Sequence, residues 1–278
     1  MPELPLLAAL AKAAAPHALP IFLFTLAAAV LAGGAACVGL QKRQAAMAAL
    51  AAEAEPRSPR WVLGLALGFA AIVSAAALFA WIAERATPTH TLGRADQLLA
   101  DGIAATLPWA ALRAFSVLTH FGDRSVLIAL GVGVAMTLLW RRHTGLALGW
   151  MLALGGNAVL NPTLKRIFER ARPVHEHGLA FEEGYSFPSG HSSGAMVTYG
   201  MLAYLALRLL PPRWHVPVVM GAIAMVLTTA CSRVFLQVHF ASDVAAGLLS
   251  GAAWLTVCVI SLTHAERRRA RRSSEAPL

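Results

Sequence analysis

Residues 216–262 read VPVVMGAIAMVLTTACSRVFLQVHFASDVAAGLLSGAAWLTVCVISL, and the architecture turns on them. Two apolar runs, 216–231 and 241–262, flank a short polar segment, SRVFLQVHFASD (232–243), which carries Arg233, His239 and Asp243. A helix of ~20 apolar residues crosses the ~30 Å hydrocarbon layer of a bilayer, and only a structure that satisfies its own backbone can do so. The stretch therefore reads as a helical hairpin in a membrane with ionisable groups at one end.

Further apolar runs at 19–40, 61–82, 125–140, 145–164 and 193–210 bring the expected spans to seven, with 125–140 and 216–231 the short ones. Hydrophobic residues make up 58% of the chain and charged residues 13%, with a mean hydropathy of +0.62, outside the range of soluble domains. The expectation is an all-α, polytopic membrane helical bundle forming one domain over 1–265, followed by a disordered basic tail at 266–278. The run 19–40 is longer than the ~7–15 residues of a signal-peptide core and is followed by Lys42 and Arg43, so it reads as a retained anchor. Cys37, Cys231 and Cys258 lie in apolar runs without metal-type spacing, and no disulfide is expected.

The net charge of +9 matters less than where the cations fall. Lys42, Arg43, Arg57 and Arg60, then Arg141 and Arg142, then Arg208 and Arg213, then Arg267, Arg268, Arg269, Arg271 and Arg272 all fall on one face of the seven-span arrangement. By the positive-inside rule that face is cytoplasmic, and the N-terminus and the 232–243 segment lie on the other. A nucleic-acid partner is not indicated. One cluster, Lys165, Arg166, Arg170 and Arg172, breaks the rule on the outer face, and a bound anion would explain it. Between the second and third spans, 84–124 reads as an amphipathic interfacial segment with Asp96, Asp101 and Asp123 on a solvated polar face or near a head group.

Two more segments belong with 232–243. In KRIFERARP (165–173), Lys165 and Arg172 are seven residues apart, which puts them on one face if the fourth span continues as a helix. Arg binds phosphate oxygens bidentately and Lys acts as a point charge, although alone the segment equally suits a snorkelling interfacial cluster. PSGH (188–191) opens the fifth span, where unpaired backbone N–H groups and the helix dipole favour an anion. Gly190 permits close approach and Ser189 adds a hydroxyl, although helix capping accounts for such a run as well. His239 and Asp243, four residues apart, would share a helical face as an oriented base or nucleophile, or as a buried structural pair. FEEGY (181–185) reads as a solvated loop or part of the entrance.

Taken in order, Lys-x6-Arg-Pro, Pro-Ser-Gly-His and Ser-Arg-x5-His-x3-Asp resemble, without substitution, the signature of the type 2 phosphatidic acid phosphatase (PAP2) superfamily. The resemblance covers about 115–262 and implies a six-helix core, to which 19–40 is an addition. It implies a metal-independent lipid phosphatase with no cofactor, in the inner (plasma) membrane of a bacterium. In that chemistry His239 attacks phosphorus to form a phosphohistidine, Asp243 orients it, and His191 protonates the leaving oxygen and later activates water. Lys165, Arg172, Ser189, Gly190 and Arg233 would hold the phosphate oxygens. The expected partners are the bilayer and a membrane phospholipid or isoprenoid phosphate, with a polyprenyl diphosphate such as undecaprenyl diphosphate first. A phosphotransferase and a non-catalytic lipid-phosphate binding protein or transporter remain as alternatives.

Overall fold

A computed structural model of the protein describes residues 3–51, 60–174 and 178–275. Arg57, one of the cations used for orientation, lies outside the described residues. The described chain is all-helical: α1 (Glu3–Ala14), α2 (Ala18–Ala51), α3 (Arg60–Arg85), α4 (Thr91–Thr106), α5 (Trp109–Leu118), α6 (Arg124–Trp140), α7 (Thr144–Phe168), α8 (Gly190–Leu209), α9 (His215–Phe235) and α10 (Ala241–Glu275). Each expected span coincides with one of α2, α3 and α6 to α10. Among the described residues, four stretches are long and apolar enough to cross a membrane by themselves: Leu6–Gln44, Leu63–Arg85, Pro212–Phe235 and Ala241–Arg268. α6 is apolar but short, and α7 and α8 are diluted by Asn157, Asn161, Lys165 and Arg166 in one and by Ser192, Ser193 and Thr198 in the other.

The side chains facing outward fit a lipid environment. Phe24, Phe69, Ile128, Leu152 and Val159 are all more than half exposed, a display that an aqueous surface does not tolerate. The protein is an integral membrane protein. Inside, Trp150, Ala147, Ala153, Val197 and Met201 form a core between α7 and α8. Phe115 stacks on Phe235 at 4.4 Å while Phe22 meets both edge-on at 5.5 Å, which ties α2 and α5 to α9. α8 and α10 come closest: a Cβ on Gly247 would sit 2.5 Å from the Ser189 carbonyl oxygen, and one on Gly251 2.9 Å from that of Ser193. Only glycine fits there.

Two expectations change. The chain past Ala265, read as a disordered tail, continues α10 as helix to Glu275. The 84–124 segment is helical, as α4 and α5 bent by 115° with Ala95, Ile103, Leu112 and Phe115 turned inward, but Asp96 is 5% exposed and not on a solvated face. Its partners lie in the site.

Candidate active site

Four helix ends meet at one end of the bundle. The last turn of α7 carries Lys165, the first turn of α8 carries Gly190 and His191, the last turn of α9 carries Arg233, and the first turn of α10 carries Asp243. Loop residues 169–174 and 178–189 and the turn 236–240 close over them. A shared helical face for Lys165 and Arg172 requires α7 to continue past the expected span end at 164 to Arg172. Instead it stops at Phe168, with Glu169 left-handed at φ 45° and its N–H on the Lys165 carbonyl. Pro173 disfavours helical geometry at the residue before it, so Arg172 reaches the site from coil.

Lys165 and Arg172 still converge. Lys165 Nζ donates to the carbonyls of Tyr185 and, at 3.3 Å, Ser186. Arg172 donates through Nη2 to the Tyr185 carbonyl at 3.1 Å, through Nε to Gly184 at 3.0 Å and through Nη1 to Val238 at 2.8 Å. The loop expected to be solvated at 181–185 therefore wraps two of the cations with its backbone.

His239 is 2% exposed and sits in the turn before α10, not on a helical face with Asp243. Its Nε2 faces Arg172 Nη1 at 3.1 Å. A guanidinium only donates, so Nε2 presents its lone pair and the ring proton is on Nδ1. Nδ1 lies 3.2 Å from the Ser186 hydroxyl and 3.5 Å from Asp243 Oδ2. Ser186 in turn donates to that same carboxylate oxygen, so the expected direct His239–Asp243 hydrogen bond is replaced by one relayed through a serine. Asp243 Oδ2 is held back because it also accepts the Phe240 N–H at 2.8 Å, capping α10 from its third residue. Burial pushes the imidazole pKa down, to about 3, against the upward pull of Asp243, so His239 is neutral near pH 7.

His191 Nε2 pairs with Asp123 Oδ1 at 3.0 Å, and Asp123 Oδ2 with His120 Nδ1 at 2.6 Å. Burial works to raise the Asp123 carboxyl, yet the hydrogen bonds from His120 and His191 outweigh it and hold the group below the usual carboxylate range. The other ring nitrogen of His191, Nδ1, faces Glu182 Oε1 at 3.7 Å. Arg233, 2% exposed, donates through Nη1 to Thr119 at 2.6 Å and through Nη2 to Glu182 at 2.5 Å, while its buried Nε–H has no hydrogen-bond partner. Arg172 Nη2 lies 3.9 Å from the other Glu182 oxygen. The carboxylate of Glu182 is thus ringed by Arg233, Arg172 and His191, as an anion bound to this cluster would be.

Ser189 is fully buried and caps α8, accepting from the Ser192 N–H at 3.4 Å and hydroxyl at 2.9 Å. Its own N–H donates to the Asp243 carbonyl at 3.0 Å. A Cβ on Gly190 would come within 3.1 Å of Asn161 Oδ1, so glycine keeps this first turn tight. Of the residues singled out from the sequence, His239, His191, Asp243, Lys165, Arg172, Arg233, Ser189 and Gly190 all gather here. Sequence reasoning missed Ser186, Glu182, Asp123, Asp96 and Arg170 as parts of it. The cluster Lys165, Arg166, Arg170 and Arg172 was the available signal for Arg170, Asp96 and Asp123 were read only as near a head group or solvated, Glu182 only as part of a loop or entrance, and Ser186 carried no signal.

The PAP2 superfamily profile matches residues 144–267, from α7 into α10. Phosphatidylglycerophosphatase B of Bacillus subtilis (strain 168) is 33% identical over 179 residues, 63% of this chain and 86% of the relative. A lipid A 1-phosphatase of Rhizobium etli is 33% identical over 174 residues, 53% of this chain and 70% of the relative. The crystal structure of a transmembrane PAP2-type phosphatidylglycerolphosphate phosphatase from Bacillus subtilis matches with a TM-score of 0.63 at 29% identity, covering 67% of this chain and 93% of that one. Fold and similarity together define a membrane-embedded phosphatase, a phosphoric monoester hydrolase of the lipid-phosphate class. The chain belongs to the PAP2 superfamily.

Proposed function

We propose that this protein removes phosphate from a membrane lipid through a phosphohistidine on Nε2 of His239. The observation that carries this reading is the lone pair of His239 Nε2, directed at Arg172 within the cluster that holds Arg233 and His191 around a carboxylate. In the first half-reaction Nε2 bonds to phosphorus as the P–O bond to the lipid breaks, and His191 gives its proton to the departing oxygen. The positive charge that develops on His239 is balanced by Asp243 through Ser186. In the second, His191 takes a proton from water, the water oxygen bonds to phosphorus, and the P–N bond breaks to release phosphate and restore the imidazole. Lys165, Arg172 and Arg233 hold the equatorial oxygens, with the free Nε–H of Arg233 as one ready donor and Ser189 and the Gly190 amide on the helix-end side. These groups supply the charge stabilisation without calling for a metal or cofactor.

The exposed cations Arg141, Arg142 and Arg213 lie on the short connections α6–α7 and α8–α9, and Lys42, Arg43, Arg267 and Arg268 in the C-terminal parts of α2 and α10, which favours a cytoplasmic assignment for that end and an extracytoplasmic one for the site. The C-terminus would then be cytoplasmic. The similarity to a phosphatidylglycerophosphatase B puts a lipid phosphomonoester ahead of the polyprenyl diphosphate that the sequence alone ranked first.

The test is phosphate release by purified protein from phosphatidylglycerophosphate, phosphatidic acid and undecaprenyl diphosphate, in detergent with a chelator and no acceptor lipid. Release of free phosphate, with an acid-labile phosphoprotein trapped during turnover, is the expected result. Phosphate that appears only on an added acceptor lipid would make the protein a phosphotransferase, and binding without turnover would make it a carrier.

A further inference from the structure

Asp96 comes from α4, outside the segment that matches the PAP2 profile, and it is buried against α10 with no part in the chemistry above. Its Oδ1 accepts the Ser242 N–H at 3.2 Å, its Oδ2 accepts the Ser242 hydroxyl, and Oδ2 also takes Arg170 Nη2 at 2.9 Å. Arg170 turns its other arm the opposite way, donating through Nη1 to Asp243 Oδ1 at 2.6 Å and to the Ser242 hydroxyl at 2.7 Å. Its guanidinium lies 4.3 Å from the centre of the Phe240 ring. One buried fork is therefore stretched between two carboxylates, one of which serves His239.

We propose that Asp96 and Arg170 are positioning residues that set the orientation of Asp243, and through it the ring of His239, with Asp96 acting from helix α4. Asp243 can serve the imidazole only from Oδ2, the oxygen shared by Ser186 and the Phe240 N–H. Arg170 on Oδ1 fixes rotation of the carboxylate about its last bond, and a bidentate guanidinium does this because its two arms are rigidly related. Asp96 anchors the far arm. It also supplies the second negative charge, so that Arg170 does not spend its whole field on neutralising Asp243. Without Asp96 the fork is free to turn and Asp243 is over-neutralised, and both effects weaken support for the charge that develops on His239. Lysine in place of Arg170 cannot span both carboxylates, so Arg170→Lys acts in the same direction.

This inference rests on the proposed roles of His239 and Asp243, and the experiment separates the two. Asp96→Asn, Arg170→Lys, Asp243→Asn, His239→Ala and the double variants Asp96→Asn/Asp243→Asn and Arg170→Lys/Asp243→Asn are made in the full chain. Each is assayed for steady-state kcat and KM, and for single-turnover phosphorylation where turnover is slow. Loss of an outer partner of a site residue typically costs ~10–100-fold, so Asp96→Asn is expected to lower kcat by about ten-fold with KM within about two-fold. On the Asp243→Asn background neither substitution should lower the rate further, because the residue through which they act is already gone. A kcat within about two-fold of wild type in both single variants, or the same fold-loss on both backgrounds, would overturn the proposal. If Asp96→Asn does not accumulate as folded protein, the Arg170→Lys pair gives the same comparison. Turnover by His239→Ala would instead sink the phosphohistidine reading itself, whatever Asp96 does.

Discussion

The two ends of the helical bundle use the same residue types for opposite purposes. At one end Arg141, Arg142 and Arg213 stand exposed in tight turns, and Arg208 makes a half-exposed pair with Glu266 at 2.7 Å. At the other, the side chains of Arg170, Arg172 and Arg233 are 11%, 13% and 3% exposed, each held by acceptors from several elements. A solvated cation at a membrane surface acts through its number and place, and its pair energies are small. A buried one acts through geometry, because leaving its donors unmatched is costly.

That contrast is open to attack by substitution. The largest effect is expected from His239→Gln, which should abolish phosphate release, a loss of at least ~10³-fold measured as free phosphate. The same variant tests the buried imidazole in a second way. The folded-state value of about 3 lies below the unfolded value of ~6.5, so the unfolded chain takes up the proton first. Wild-type thermal stability should therefore fall as pH drops from ~6.5 towards 3, and His239→Gln should flatten that slope. Next in size is Arg172→Lys, expected to lower kcat/KM by ~10²-fold because an ammonium cannot reproduce the fork that serves four carbonyls and Nε2 at once. Glu182→Gln removes the carboxylate that competes for Arg233, and it should tighten competitive inhibition by inorganic phosphate a few-fold, ~1 kcal/mol, read from Ki. The smallest effect belongs to the exposed end. Arg141→Ala with Arg142→Ala should leave kcat/KM within about two-fold, and a large loss there would erase the distinction between the two ends.

The sequence carried the helices and the three motif blocks because both leave local marks: long apolar runs for the first, fixed spacing for the second. α9 and α10 fall where the stretch 216–262 put them. What escaped has no local mark. Ser186 meets His239 across 53 residues, and Asp96 meets Ser242 across 146. Asp96 also follows a helical pattern in which an acidic residue ordinarily belongs to the wet face, so its burial was decided by partners no periodicity encodes. The end of α7 is unmarked for a related reason: charged residues continue smoothly past Phe168, and the break comes from Glu169 adopting a left-handed backbone ahead of Pro173.

The glycine contacts of Gly247 and Gly251 with the α8 backbone act as a seam. Two main chains pressed that tightly leave no crevice for a hydrocarbon tail, so whatever lipid presents its head to His191 and His239 must trail the rest of itself along another flank. Discrimination between tails therefore falls to side chains off this seam, and enlarging either glycine would spread the two histidines apart before it altered which lipid is chosen.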